Sequence, residues 1–313
     1  MPLEPRVRRI VGLMNLVDRG GDDVPIDVRR RVDGALARRG AVLVMPKGPA
    51  PASTVDHLVP VRDGRIRVRV HRPVGTGPFP AYVFLHGGGW CVGTIEERDP
   101  RCRQIVAGAR CVVVSVDYRM APENAFPTPA EDCYSALEWV ATHAAELDVD
   151  PTRLAVGGES AGANLAAVVC LMARDRSGPP LVHQWLDVPA TDVTLSQPSF
   201  EEVPDGYLLD RSTILRFREL YLGDLDRVTD PYVSPLLADL RDLPPAWIMS
   251  AEYDKLRDDG RAYARALEAA GVPASFRLLE GHVHPSFAFT RWVPSARAYE
   301  ADAIAALARA FAR

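Results

Sequence analysis

Between residues 66 and 70 the chain alternates apolar and basic side chains, with Ile66, Val68 and Val70 separated by Arg67 and Arg69. A period of two puts the apolar set on one face of a strand. The run belongs to VDHLVPVRDGRIRVRVHRP (55–73), where two β-rich stretches flank Asp63-Gly64, so the pattern predicts a β-hairpin. Downstream the pattern changes to short, mainly apolar strand-like runs at 81–85, 111–116, 154–156, 246–250 and 274–279. Helical periodicity fills the gaps, for example at 130–147 and 163–176. Another helix, RDDGRAYARALEAAG (257–271), closes on Gly271, the residue type expected just past a helix end. Apolar strands alternating with helices predict an α/β fold with a largely parallel sheet covered on both faces.

Two segments fall outside this alternation. Residues 1–45 read as two amphipathic helices separated by RGGDD (19–23), and the Pro/Gly/Ser stretch KGPAPAS (47–53) then marks a boundary. The stretch at about 195–225 interrupts the strand–helix order and predicts an insertion lying over the sheet edge. The expected organisation is therefore N-terminal cap helices at 1–45 and a main domain at 50–313 that carries a cap insertion at about 195–225.

Composition narrows the function classes. At 313 residues, with 47% apolar and 25% charged residues, the chain can bury a full core without staples. A net charge of −4 with no long single-sign block gives nucleic-acid binding no electrostatic support. The five cysteines form neither a CxxC pair nor a metal-ligand spacing, and the chain starts without a signal-like apolar run. The odd cysteine count and the lack of a signal-like start predict a reducing, cytoplasmic setting. No run approaches the roughly 20 apolar residues of a membrane span, which predicts a soluble protein.

The strongest chemical signal is Gly158-Glu159-Ser160-Ala161-Gly162, which follows the apolar run 154–156 and opens a helix. A serine on such a turn projects its hydroxyl from the sheet edge, and the flanking glycines are needed because a β-carbon would collide with neighbouring backbone. The helix start beneath it favours developing negative charge. A second signal, HGGGW (86–90), directly follows the strand AYVFL. Consecutive glycines let backbone N–H groups approach a ligand, and each donor aimed at an oxyanion contributes roughly 10²–10³ in rate.

A serine nucleophile needs a base and an orienting acid, which on this fold follow it in the order acid, then histidine. Asp254 sits just beyond the strand PAWIMSA, where side chains of successive strands converge. Glu252, Asp258 and Asp259 compete for the role. The last two read better as helix-start carboxylates, which leaves Glu252 as the fallback. After the strand ASFRLLE the chain continues GHVHPSF, and only His282 and His284 lie beyond the acid. Chain order alone leaves the choice between them open.

These segments together resemble the bacterial hormone-sensitive-lipase-like esterases, family IV of the α/β-hydrolases. The likeness rests on HGGGWCVGTIE, VDYRMAPENAFPTPAEDCYSALEWV, GGESAGANLAAVVCLMARDRSGPP, the long segment from DPYVSPLL to ALEAAGVP, and EGHVHPSF. They cover most of residues 56–313, while the N-terminal helices match the family's cap more in position than in sequence. The resemblance implies an eight-stranded sheet under a helical cap, and a carboxylesterase needing no metal or cofactor. It implies Ser160 as nucleophile, Asp254 as acid, and oxyanion donors at Gly88, Gly89 and Ala161, with Gly87 as their neighbour. Counting from Gly281 in the family's G-x-x-H pattern places the base at His284 and leaves His282 a loop neighbour. Asp117-Tyr118-Arg119 matches a family segment that reads as structural support.

Two departures stand out. Glu159 and Ala163 occupy positions where the family commonly has Asp and Gly. His284-Pro285-Ser286-Phe287 stands where it usually has His-Gly-Phe, and Pro285 both removes an N–H and biases His284 toward extended backbone. The expected substrate is a small-molecule ester with a short to medium acyl chain. Trp90, Phe200, Tyr207 and Leu208 are candidate pocket walls that could equally be core. The resemblance makes a homodimer a reasonable assembly, although no sequence feature demands one. An amidase or metabolite deacetylase would use the same triad. A non-catalytic receptor should lack one of its members, and candidates for all three are present.

Overall fold

The computed structural model of the chain describes residues 2–17, 24–31 and 43–312. Its centre is an eight-stranded sheet in the order β1-β2-β4-β3-β5-β6-β7-β8. The strands are β1 (Ser53–Val61), β2 (Gly64–Arg72), β3 (Phe79–Leu85), β4 (Val112–Asp117), β5 (Val149–Glu159), β6 (Leu181–Asp187), β7 (Ala246–Tyr253) and β8 (Ala274–Val283). β1 and β2 form the expected hairpin, and β2 runs antiparallel to β4, while β3 to β8 pair in parallel. The hairpin turn lies one residue earlier than the Asp63-Gly64 pattern implies. Gly64 already pairs with Val61, and Asp63 takes the left-handed backbone at φ +60°.

The helices are α1 (Pro5–Val17), α2 (Ile95–Ala109), α3 (Thr128–Thr142), α4 (Ala161–Asp175), α5 (Ser199–Glu202), α6 (Arg211–Leu222), α7 (Arg257–Ala269) and α8 (Pro294–Phe311). Strand alternation sorts them into layers. Val83, Val114, Val156 and Ile248 face a cluster completed by α3, α4 and α7. Their neighbours Tyr82, Val113, Ala155 and Trp247 face the opposite cluster, completed by α2 and α8. A sheet buried on both faces needs the near-continuous apolar strands that the sequence carries.

Three elements escape the sequence pattern. β6 (LVHQWLD) is broken by His183 and Gln184, yet both are buried, and Gln184 Nε2 donates to the Pro244 carbonyl at 2.8 Å. α2 holds Pro100 within a charged stretch, and α8 is rich in alanine rather than large apolar residues. Of the two N-terminal helices, α1 is present and residues 26–31 are helical, while RGGDD (19–23) lies outside the described residues. The insertion around 195–225 contains α5 and α6. No described helix is long and apolar enough to cross a membrane.

Candidate active site

β5 runs directly into α4 through Ser160, whose backbone sits at φ +56° and ψ −123°. This is a sparsely populated conformation for a residue with a side chain, and it persists because the surroundings over-determine it. A β-carbon on Gly158 would run into the Leu85 carbonyl, and one on Gly162 into the carbonyls of Leu85 and His86. β3 and the turn can approach this closely only because both positions are glycine. The Ser160 N–H donates to the Asp187 carbonyl at the end of β6, at 2.8 Å.

Asp254 follows β7 and is buried, with its Oδ1 accepting from the Leu256 N–H at 2.9 Å. Its Oδ2 lies 2.7 Å from Nδ1 of His284, which follows β8. Nε2 of the same imidazole lies 2.9 Å from Ser160 Oγ. Side chains at the ends of β5, β7 and β8, up to 124 residues apart, thus form one hydrogen-bonded chain. The competing carboxylates are engaged elsewhere. Glu252 accepts from the Gly281 N–H at 2.6 Å, Asp258 pairs with Arg257 at 2.9 Å, and buried Asp259 accepts from the Asp192 N–H at 2.9 Å.

His282 is not a loop residue. It lies inside β8, fully buried, between Ser286 Oγ and Ser295 Oγ, each 2.8 Å away. Ser286 Oγ donates to the Val283 carbonyl, so it is available to His282 only as an acceptor. That requires the proton on Nδ1 and leaves Nε2 to accept from Ser295. Burial pushes the pKa of His282 down, against a weaker upward pull from Glu4. Pro285 caps a short 3₁₀ turn, Ser286–Ala288, whose Phe287 and Ala288 line the same cavity as His284.

The glycine loop lies beside Ser160. Gly88 and Gly89 take φ of +123° and +57°, and a β-carbon on Gly88 would strike the Val92 carbonyl. One on Gly89 would strike the Phe217 ring of α6, and one on Gly87 would come within 3.3 Å of Ser160 Cβ. Among the described residues none accepts a hydrogen bond from the N–H of Gly88, Gly89 or Ala161, and all three line the cavity in front of Ser160. His86 anchors the loop by donating from Nδ1 to the Gly87 carbonyl at 2.9 Å and stacking on Tyr118 at 4.3 Å. Tyr118 in turn donates to the His86 carbonyl at 2.8 Å, so the Asp117-Tyr118-Arg119 segment supports the loop from behind.

Residues 82–288 match the family model of the alpha/beta hydrolase fold. Carboxylesterase NlhH of Mycobacterium tuberculosis is 45% identical over 251 residues, covering 78% of each chain. An arylesterase of Saccharolobus solfataricus is 36% identical over 290 residues, covering 91% of this chain and 92% of its own. A hyperthermophilic esterase from the archaeon Pyrobaculum calidifontis superposes with a TM-score of 0.93 at 36% identity over 99% of both chains. The chain belongs to the hormone-sensitive-lipase-like α/β-hydrolases. It is a carboxylic ester hydrolase.

The esterase carries in front of Ser160 and His284 a cavity of about 250 Å³, roofed by Thr213, Ile214, Phe217 and Arg218 of α6. Trp90 and Leu208 line it, and Trp90 stacks on Tyr221 at 4.4 Å. The other two expected walls lie elsewhere. Phe200 is buried under the cationic groups of Arg211 and Lys255, and Tyr207 packs on Tyr253 with ring centroids 4.9 Å apart. Neither is among the residues lining the cavity.

The support under Ser160 is not legible from the motif's spacing. Glu159 is buried, which would raise its pKa, but the guanidinium groups of Arg98 and Arg101 outweigh burial and hold it below the usual value. Arg101 also bridges Asp187 of β6 and Glu300 of α8, and lies over the rings of Phe84, Trp185 and Phe287. The available signal was Glu159 itself. A carboxylate inside a buried turn requires a cationic partner.

Proposed function

We propose that the esterase hydrolyses short- to medium-chain carboxylic esters through an acyl-enzyme, with Ser160 as nucleophile, His284 as base and Asp254 as the orienting acid. The observation that carries this reading is the continuous hydrogen-bonded chain from Ser160 Oγ through His284 to Asp254, at 2.9 and 2.7 Å. His284 donates from Nδ1 to Asp254, which leaves Nε2 free to take the serine proton as Oγ attacks the ester carbonyl. Asp254 then stabilises the imidazolium. The N–H groups of Gly88, Gly89 and Ala161 face the oxyanion, with Gly87 packed behind them. Collapse breaks the C–O bond of the ester, and Nε2–H protonates the departing alcohol. Water, deprotonated by the same nitrogen, repeats the attack on the acyl-enzyme and releases the acid and Ser160.

The cap in this reading is built from residues 1–45 and the insertion at about 195–225. Support comes from Arg29 and α6, which line the cavity opposite Ser160. The small volume, closed by Trp90, Leu208 and Phe217, supports limited acyl length. The described cysteines are all buried and unpaired, in keeping with a reducing, cytoplasmic setting.

A fluorophosphonate tests the assignment. It should label the esterase once, at Ser160 in the peptide map, and abolish hydrolysis of a short-chain nitrophenyl ester. Labelling at another serine, or inactivation without labelling, would refute it. Gly89→Ala tests the oxyanion assignment. Its β-carbon collides with Phe217 at a left-handed φ, so the loop must move. Loss of the aligned donor should lower kcat by about 10²–10³ with a smaller change in KM. An unchanged kcat would remove Gly89 from the role.

A further inference from the structure

The roof of the cavity is charged in a way that hydrolysis of a simple ester does not call for. Arg218, on α6, lines the same cavity as Ser160 and His284, and its Nε is buried with no hydrogen-bond partner. Among the described residues no carboxylate forms an ion pair with it. Elsewhere on α6, Arg211 pairs with Glu201 at 2.5 Å, and Arg216 donates from Nη2 to the Val24 carbonyl at 2.5 Å while its buried Nη1 has no partner. Arg218 itself is half-buried, and a guanidinium nitrogen buried without an acceptor costs free energy unless an anion meets it. Its neighbours here, Ile214 and Phe217, keep the local dielectric low.

The carboxylates that line the cavity are already committed. Glu159 is held by Arg98 and Arg101. Asp192 is turned into its own loop, accepting from Thr194, Ser196 and Gln197. A second guanidinium, Arg29, lines the cavity and lies 5.3 Å from the Phe217 ring centroid. Arg218 is therefore the lining cation with an unpartnered buried nitrogen, and neither lining carboxylate bonds to it.

We infer that the preferred substrates are esters carrying a second, ionised carboxylate, which Arg218 receives at the roof while the ester carbonyl sits at Ser160. A planar guanidinium accommodates a carboxylate through parallel N–H donors, a geometry that a lysine could not reproduce. The inference rests on the active-site reading above and adds to it the class of substrate. The carboxylate belongs either to the acyl or to the alcohol portion, and two substrate pairs separate these.

On the acyl side, 4-nitrophenyl hydrogen adipate is compared with 4-nitrophenyl heptanoate. On the alcohol side, 4-carboxyphenyl butyrate is compared with its methyl ester. At low salt the wild type should show the higher kcat/KM for the anionic member of one pair, mainly through KM, and salt should shrink the advantage. Arg218→Gln should lower that anionic-to-neutral ratio by about tenfold or more. Arg218→Lys, which keeps charge but not the fork, should lower it less. Absence of a wild-type preference in both pairs overturns the inference whatever the variants' folding, as does a ratio that Arg218→Gln leaves unchanged. Ser160→Ala serves as the control. Neutral-ester hydrolysis that survives it would fault the active-site reading instead.

Discussion

Ser160→Ala should lower kcat on a short-chain nitrophenyl ester by roughly 10⁶-fold while leaving the fold intact. The size follows from the role, because without the hydroxyl no acyl-enzyme forms and the base has no proton to take. Residual rate over water would come from the oxyanion donors and binding alone. Stability should change little, because Ser160 Oγ is bonded only to His284 among the described residues. The backbone N–H bond to Asp187 is untouched by the substitution. Relief of the left-handed strain at φ +56° is no greater for alanine than for serine. Near-native hydrolysis by the purified variant would end the serine mechanism.

The second large effect separates two histidines that stand two residues apart. His284→Ala should cost kcat nearly as much as loss of the serine, since members of such a unit fail together. His282→Ala should act on stability. It would remove a buried imidazole and its hydrogen bonds to buried Ser286 and exposed Ser295, each contributing about 0.5–1.5 kcal/mol, and a denaturant midpoint would report the loss. The effect should also depend on pH. Burial lowers the folded-state pKa of His282, so the contribution is complete above the unfolded value of about 6.5 and fades as pH falls below it. The stability gap between wild type and variant should therefore narrow in acid. Loss of activity in His282→Ala with survival in His284→Ala would reverse the assignment.

Much of this geometry can be read before folding because the fold places its chemistry at strand ends in a set order. Apolar runs located β3, β4, β7 and β8, and the segments just past β5, β7 and β8 supplied Ser160, Asp254 and His284. The pattern misleads where buried polarity imitates exposure. β6 looks half-solvated because His183 and Gln184 interrupt it, yet Gln184 finds its acceptor in the neighbouring Pro244 carbonyl. His282 looked like a loop residue for the same reason. Its environment is made by Ser286 and by Ser295, whose nearness only the folded chain creates. Pocket walls were the least legible. Trp90 and Phe200 are both large, aromatic and buried, and only tertiary placement sends one to the cavity and the other beneath Arg211 and Lys255.

The contacts made by Arg101 set a limit on modularity. The five-residue serine motif is compact in sequence, but the arginine beneath it joins Glu159, Asp187 and Glu300 across separations of 58, 86 and 199 residues. No contiguous fragment lacking α8 contains the whole support. Grafting Gly158 to Gly162 onto another strand–helix junction would carry a negative charge into a core with nothing to neutralise it. The motif is local as a signature and global as a structure, and it is therefore not portable.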